Sequence, residues 1–201
     1  MSINRRGERT RHHVLDAAWD LISEQGAEVS ISQIAQAAGI SRQAVYQHYG
    51  SRGGLLVALV RRADERFEIK EQFDAALAHP GPKERLALTL RAWLAFVPKI
   101  DPVARDLIRL RDKDPAASSA WEDRMADLRR WLLALMTSLQ KEDALKPGWT
   151  PQTAADLFWA QTSVQAWGLL VHECGWREKD VEAKLLRSIS DTLLKTDDRD
   201  L

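Results

Sequence analysis

Apolar residues in the first quarter of the chain recur at the three- and four-residue spacing of one buried helix face. This pattern predicts a first helix from about Thr10 to Gln25. Gly26 is expected to end it, because glycine tolerates the left-handed conformation found at many helix C-termini. The apolar positions of this helix are Val14, Leu15, Ala18, Leu21 and Ile22.

Two shorter helices are predicted next. The Ser30 hydroxyl is suited to cap the second helix, and Gln33 can reach back to complete a capping box. Gly39 allows a tight turn, after which Ser41 can cap a third helix from Arg42 to about His48. The sequence therefore predicts two helices joined by a glycine-containing turn, as in a helix-turn-helix.

The third helix is expected to be amphipathic. Ala44 and Val45 can supply its inner face, while its outer face carries side chains that can hydrogen-bond to base edges or phosphates. For any single residue of the outer face, an ordinary solvated helix surface is the alternative explanation. The outer residues are Arg42, Gln43, Tyr46, Gln47 and His48.

The stretch from Arg11 to Leu59 resembles the DNA-binding domain of the TetR family of bacterial transcriptional regulators. The residues that carry the resemblance are Ala17, Ala18, Gly26, Ile34, Ala35, Ala38, Gly39, Ile40, Ser41, Val45, Tyr46, His48, Tyr49 and Leu55. After the third helix the family usually has an aromatic residue, Ser or Asn, Lys and an acidic residue. Here the run is Tyr49-Gly50-Ser51-Arg52-Gly53-Gly54, in which Arg52 keeps the positive charge and the two glycines weaken the next helix turn.

The resemblance implies a DNA-binding surface, and the charge distribution supports it. Residues 1–62 hold eight Arg, no Lys and five acidic residues, a surplus of three positive charges in a chain of net charge zero. The arginines before the first helix are expected to form an arm along the phosphates or in the minor groove, or else a solvated terminus. The DNA contacts are expected at Ser30, Arg42, Gln43, Ala44, Tyr46, Gln47, His48, Tyr49, Ser51 and Arg52, and at Arg5, Arg6, Arg9 and Arg11 of the arm.

Beyond Leu55 the chain is predicted to be helical throughout, with breaks where proline and glycine cluster. The predicted fold is all-α, with an N-terminal three-helix bundle (1–55) containing the helix-turn-helix and a larger helical effector-binding and dimerisation domain (56–201). The expected helices are Gly53–Ala78, Lys83–Phe96 ended by Pro98, Pro102–Arg111, Ala116–Glu142, Pro151–His172 and Glu178–Lys195.

The last two helices have broader apolar faces than a single neighbour requires. Pairing with the same helices of a second subunit would bury them in a four-helix interface, and the resemblance implies the same arrangement. Two recognition helices related by a twofold axis would then read a palindrome. The residues expected at this interface are Leu157, Val164, Leu170, Val171, Leu185, Ile189 and Leu193.

Eight tryptophans are a high number for 201 residues, and all but one lie outside the predicted DNA-binding part. They indicate an apolar, aromatic-lined cavity for a small-molecule effector, in which nearby polar side chains place further contacts. The alternative is that these aromatics simply fill the core and the dimer interface. The candidate lining residues are Trp93, Phe96, Trp131, Phe158, Trp159, Gln161, Thr162, Gln165 and Trp167.

Several other chemistries have no motif in the sequence. It contains no glycine-rich phosphate loop, paired-histidine zinc helix or serine elbow, so no catalytic residue, metal site or cofactor is expected. The single cysteine, Cys174, and the lack of a secretory or membrane-spanning segment indicate a cytoplasmic protein, associated with the nucleoid when bound to DNA.

The function expected from the sequence is that of a homodimeric repressor. It would bind double-stranded DNA at a palindromic operator and leave it when an apolar or aromatic effector binds. One alternative is a DNA-binding dimer without an effector. The other is an enzyme that uses the helical C-terminal part, and it lacks a visible acid-base or metal constellation.

Overall fold

One longer helix and two short capped helices form the first part of the chain in the computed structural model, which describes residues 5–25 and 29–195. Helix α1 spans Arg5–Gln25, α2 spans Ile31–Ala37 and α3 spans Arg42–Tyr49. The Ser30 hydroxyl accepts a hydrogen bond from the Gln33 N–H, and the Gln33 side chain accepts one from the Ser30 N–H at 2.9 Å. The predicted capping box is therefore confirmed. Gly26, the expected end of the first helix, lies outside the described residues.

The turn between α2 and α3 also follows the prediction. Gly39 has a φ of +62°, a left-handed conformation in which a residue with a side chain would be strained. The Ile40 N–H donates to the Ala35 carbonyl oxygen at 3.0 Å, which closes the end of α2. Ser41 then caps α3, because its hydroxyl accepts from the Ala44 N–H at 3.1 Å. The predicted helix-turn-helix is confirmed.

The predicted single helix from Gly53 to Ala78 is wrong, because it is divided in two. Helix α4 spans Arg52–Phe67 and α5 spans Ile69–Leu77. Glu68 between them has a φ of 48° and a ψ of 40°, which is left-handed and breaks the helix. No glycine or proline lies at this break, so the sequence contains no helix-breaking residue that would predict it.

The predicted end of a helix at Pro98 is also wrong. Helix α6 runs without interruption over Pro82–Leu110, through Pro98 and Pro102. Each proline removes one backbone donor, but Val97, Ile100 and Val103 are all buried, so the apolar face continues across the prolines. Burial of this face offsets the lost hydrogen bonds. Helix α7 follows over Pro115–Lys141, close to its predicted bounds.

The last predicted pair of helices contains a second unpredicted break. Helix α8 spans Pro151–Thr162, α9 spans Val164–Gly168, and one π-helical turn covers Leu169–Glu173. Ser163 leaves the helical conformation with a ψ of 155°, and its hydroxyl caps α9 by accepting from the Ala166 N–H. Helix α10 spans Glu178–Leu193, within two residues of the prediction.

The all-α class is confirmed. Within residues 5–25 and 29–195 the structure contains no strand, only an isolated bridge between Leu145 and Leu194. Contacts group the chain into two compact units, one of residues 1–67 and 99–123, the other of residues 68–98 and 124–201. The division at residue 55 concerns function rather than contacts, and it stays a prediction.

Candidate DNA-binding surface

Helix α3 has one buried side and one polar side that takes no part in the core. Val45 is 1% exposed and packs α3 against the rest of its compact unit, whereas Tyr46 on the outer side of α3 is 43% exposed. A large exposed aromatic beside polar groups is available to a partner. The exposed side chains of this face are Arg42, Gln43, Tyr46 and Gln47, and Ala44 is half-buried.

The end of α3 is fastened to α1. The Tyr49 hydroxyl donates to the Arg11 carbonyl oxygen at 2.8 Å, and the Arg11 guanidinium donates to the His48 carbonyl oxygen at 3.0 Å. Burial raises the pKa of Tyr49 to about 12, although the positive charge of Arg11 acts in the opposite direction. His48 and Tyr49 are half-buried, so their contacts hold α3 in place.

The hydroxyls of Ser30 and Ser51, which were expected to contact DNA, form hydrogen bonds within the chain. Ser30 caps α2, and its hydroxyl also contacts the Gln33 side-chain oxygen at 2.7 Å. The Ser51 hydroxyl accepts from the Gly54 N–H at 3.0 Å, in the first turn of α4. Each hydroxyl therefore stabilises the start of a helix, Ser30 that of α2 and Ser51 that of α4.

Arg52, which was expected to contact a phosphate, has a carboxylate partner in the structure. Its guanidinium forms an ion pair with Asp106, with Nη2 at 2.5 Å from the carboxylate, and it also donates to the Val29 carbonyl oxygen. The Asp106 side chain is fully buried. The guanidinium is therefore turned into the fold, because a buried carboxylate demands a charged partner.

The N-terminal arginines belong to a helix rather than to an extended arm. Helix α1 already begins at Arg5, and Arg9 and Arg11 are exposed along it. The side chains of Arg5 and Arg6 lie outside the described residues. A helix that carries exposed arginines can still approach phosphates, and it does so at fixed spacing.

The aromatic residues expected to line a pocket form a packed cluster in the second unit. Trp93 and Phe96 have ring centroids 6.0 Å apart, and Phe73 meets the Trp131 ring edge-on at 5.2 Å. The Trp93 indole N–H donates to the Thr162 carbonyl oxygen at 2.7 Å, which satisfies its one polar group. Phe73 is a member that the sequence analysis missed, although it occupies a buried position of α5.

The remaining pocket candidates divide between core and surface. Phe158 is completely buried, and Trp167 is buried against the edge of the His172 ring. Trp159 is half-buried under the Arg129 guanidinium, Gln161 is half-buried, and Gln165 is exposed. Beside Trp131 and Phe73 the structure leaves a cavity of only about 20 Å³. That volume is far below the several hundred Å³ of a drug-sized ligand pocket.

Three residues expected at the dimer interface are instead buried within the chain's own fold. Val164 is 4% exposed, and Ile189 and Leu193 are fully buried. Leu157, Leu170, Val171 and Leu185 are half-buried. Leu169 and Trp176, in the same part of the chain, are exposed apolar side chains and were not among the expected interface residues.

Two buried or half-buried aspartates also escaped the sequence analysis. Asp106 lies on α6 among apolar residues, and Asp114 is the residue before Pro115 at the start of α7. An aspartate followed by a first-turn proline is a recognisable helix-capping pair. Among the described residues there is no group of three or more potential metal ligands. None of the described helices is long and apolar enough to cross a membrane.

Comparison with known proteins points to one family. Residues 14–59 match the family model described as bacterial regulatory proteins, tetR family. An HTH-type transcriptional repressor of Mycobacterium tuberculosis is 31% identical over 121 residues, which are 59% of this chain and 59% of that protein. The chain spans about half the length of the curated relatives it matches.

Solved structures with the same fold cover nearly the whole chain. A transcriptional regulator from Saccharomonospora viridis in complex with choline has a TM-score of 0.76 at 18% identity, covering 94% of this chain and 100% of that chain. A SmeT–triclosan complex has a TM-score of 0.71 at 19% identity, covering 94% of this chain and 93% of that chain.

Proposed function

Because this chain belongs to the TetR family of bacterial regulatory proteins, we propose that it is a sequence-specific DNA-binding repressor that acts as a homodimer in the cytoplasm. The observation that carries the proposal is the polar face of α3. Four exposed side chains, Arg42, Gln43, Tyr46 and Gln47, stand on a short helix whose start and end are both fixed by hydrogen bonds. A rigid helix of this kind fits the major groove.

The roles of the four side chains follow from their chemistry. Arg42 can make two hydrogen bonds to guanine, and Gln43 or Gln47 can make two to adenine. Tyr46 can pack against a base methyl group or bond to a phosphate through its hydroxyl. Arg9 and Arg11, exposed on α1, are proposed to contact the phosphate backbone and so to make the affinity salt-dependent.

A homodimer is proposed because one short recognition helix binds weakly. The exposed Leu169 and Trp176, together with the half-buried Leu170, Val171 and Leu185, supply an apolar surface for a second copy. Two copies related by a twofold axis would recognise an operator with inverted repeats.

Regulation by a small molecule is the finer part of the proposal. The structural neighbours in complex with choline and triclosan support an effector. In this chain the candidate effector site is the aromatic cluster of Phe73, Trp93, Phe96 and Trp131, where a cavity of about 20 Å³ lies beside Phe73 and Trp131. Binding would therefore require the cluster to open, and only a ligand that favours the state without DNA would release the operator.

A DNA-binding dimer without an effector is the second candidate function. The packed aromatic cluster favours it, because the Trp93 indole N–H already has its partner and the rings leave little space. Thermal denaturation with a panel of apolar compounds separates the two candidates. A compound that raises the Tm and also releases DNA supports the effector, whereas no stabilising compound supports the second candidate.

Selection of DNA from a random duplex library by the full chain tests the main proposal. The selected duplex and a scrambled version are then titrated at salt concentrations from about 50 to 200 mM. We expect an inverted repeat that binds about 10³-fold or more tightly than the scrambled duplex, with affinity that falls steeply as salt rises. Equal weak binding to both duplexes, or no binding at low salt, would contradict the proposal.

A further inference from the structure

The first turn of α4, directly after the recognition helix, is held by two aspartates that lie more than fifty residues later in the sequence. Asp106 is on α6, and Asp114 is in the turn between α6 and α7. Contacts group residues 99–123 into the same compact unit as the helix-turn-helix. Helix α3 therefore belongs to the same compact unit as residues 99–123.

Asp106 anchors α4 through Arg52. Its Oδ2 accepts from Arg52 Nε at 2.8 Å, and its Oδ1 accepts from Arg109 at 2.9 Å. Arg52 in turn donates to the carbonyl oxygen of Val29, the residue before the α2 cap. One guanidinium thus ties α6 to the starts of both α4 and α2, and its partner carboxylate is fully buried.

Asp114 anchors Gly53, the residue after Arg52, by accepting a hydrogen bond from its backbone N–H. Its Oδ2 accepts from the Gly53 N–H at 3.1 Å, while its Oδ1 accepts from the N–H of Ala116 at 2.9 Å. Burial raises the carboxyl pKa of Asp114, but hydrogen bonds from Ser51 and from three backbone N–H groups outweigh burial and leave the pKa below its ordinary value. The charged carboxylate is therefore the form that the fold favours.

The two glycines that depart from the family pattern fit this arrangement. A Cβ atom on Gly53 would stand 2.5 Å from Asp114 Oδ2, and a Cβ atom on Gly54 would stand 2.0 Å from the Tyr49 carbonyl oxygen. Gly53 lets the carboxylate approach, and Gly54 lets the last residue of α3 approach the first turn of α4. A displacement of that turn is therefore passed directly to the end of α3.

We propose that Asp106 and Asp114 are positioning residues for DNA recognition, and that Arg52 is a structural strut rather than a phosphate ligand. By fixing the first turn of α4, the two carboxylates fix the angle at which α3 presents its polar face. The inference rests on the proposed function, because positioning has meaning only if α3 contacts DNA. It assigns part of the support of α3 to a segment that lies more than fifty residues later in the sequence.

The two possible roles of Arg52 differ in a measurable way. A phosphate ligand contributes to every duplex, so its loss weakens binding to all sequences and lowers the slope of log affinity against log salt by about one. A strut contributes to the orientation of α3, so its loss weakens binding to the correct sequence and leaves the salt slope unchanged.

The experiment compares the full chain with Arg52→Met, Asp106→Asn and Asp114→Asn on the selected and scrambled duplexes across the salt range. Asparagine has one oxygen, so at position 114 it can retain the α7 cap while turning a donor towards the Gly53 N–H. Gly53→Ala is a second, independent test, because it retains every charge and displaces the carboxylate by its Cβ atom. Asp101→Asn is the matched control, since Asp101 is also a buried aspartate of α6 and pairs with Arg105 on that helix.

We expect each of the four variants to lower the ratio of selected to scrambled affinity by about tenfold or more, as a misplaced base contact does, with the salt slope unchanged. Asp101→Asn should retain the wild-type ratio. Circular dichroism and gel filtration at the assay temperature establish that each variant is folded. If a variant that removes a charge does not fold, the affinity ratio of Gly53→Ala tests the positioning role.

Two results would overturn the inference. One is equal loss of affinity for both duplexes with a slope lower by about one in Arg52→Met, which would make Arg52 a phosphate ligand. The other is a wild-type ratio in folded Asp114→Asn and Gly53→Ala. A wild-type chain that does not distinguish the duplexes would instead overturn the proposed function, and the inference with it.

Discussion

Helices α3 and α8 begin with the same kind of cap but differ in how much of the helix is buried. Ser41 caps α3 by accepting from the Ala44 N–H at 3.1 Å, and Thr150 caps α8 by accepting from the Thr153 N–H at 3.2 Å. The polar side chains of α3 remain outside the core, whereas α8 places Phe158 in complete burial. A capping motif therefore identifies a helix, but the exposure of the rest of that helix decides whether it serves a partner or the fold.

The comparison predicts that substitutions on α8 change stability, whereas substitutions on α3 change binding. Phe158→Ala should have the largest effect, because removal of a fully buried ring leaves a cavity and costs about 3–5 kcal/mol of the free energy of unfolding. Urea denaturation measures this loss. The folded fraction should retain wild-type affinity for the selected duplex, and a loss below about 1 kcal/mol would mean that the site is loosely packed.

Gln43→Ala should show the reverse behaviour. Gln43 is exposed on α3, so its loss should leave the Tm unchanged while reducing the binding free energy for the selected duplex by about 1–3 kcal/mol. Gln152, which is also exposed and lies on α8, supplies the matched control, and Gln152→Ala should bind normally. Equal affinity of both variants would remove Gln43 from the recognition face.

Removal of the Ser41 cap of α3 or the Thr150 cap of α8 should destabilise the protein by similar amounts but have different effects on DNA binding. Ser41→Ala and Thr150→Ala should each lower the free energy of unfolding by about 1 kcal/mol, because each leaves helix N–H groups without their acceptor. Only Ser41→Ala should also weaken duplex binding, because only α3 is proposed to contact DNA. If Thr150→Ala weakened binding as strongly, stability alone would explain the effect.

Tyr49 provides the smallest and most local test. Its pKa of about 12 lies above its ordinary value of 10.0, so its neutral form contributes stability that is fully present below pH 10.0 and is lost as the pH rises through about 12. The difference in phenolate absorbance between the wild type and Tyr49→Phe should therefore have its midpoint near 12. A midpoint at the ordinary value would show that the Tyr49 phenol is not buried between α3 and α1.

The sequence was sufficient for elements that are defined by local chemistry. Ser30 with Gln33, Gly39 and Ser41 fix α2, the turn and α3 through hydrogen bonds and a left-handed φ within a few residues of one another. The resemblance to the TetR family added the DNA-binding interpretation of the exposed face. These features depend little on the rest of the chain.

The sequence was insufficient where distant residues decide. Proline would ordinarily end a helix, but burial of the α6 face carries the helix through Pro98 and Pro102. Glu68 breaks the helix with no local signal, and it lies where the chain passes from one compact unit to the other. Arg52 carried a charge suited to phosphate, but its orientation depends on Asp106, which lies 54 residues later.

Methylation protection of guanine N7 in the selected duplex tests the central claim most directly, because this atom is accessible only from the major groove. We expect protection in two half-sites about one helical turn apart with the wild-type chain, and specific loss of protection at one guanine of each half-site with Arg42→Ala. Absence of protection in a tightly bound complex, or an identical pattern with Arg42→Ala, Gln43→Ala and the wild type, would contradict recognition by α3.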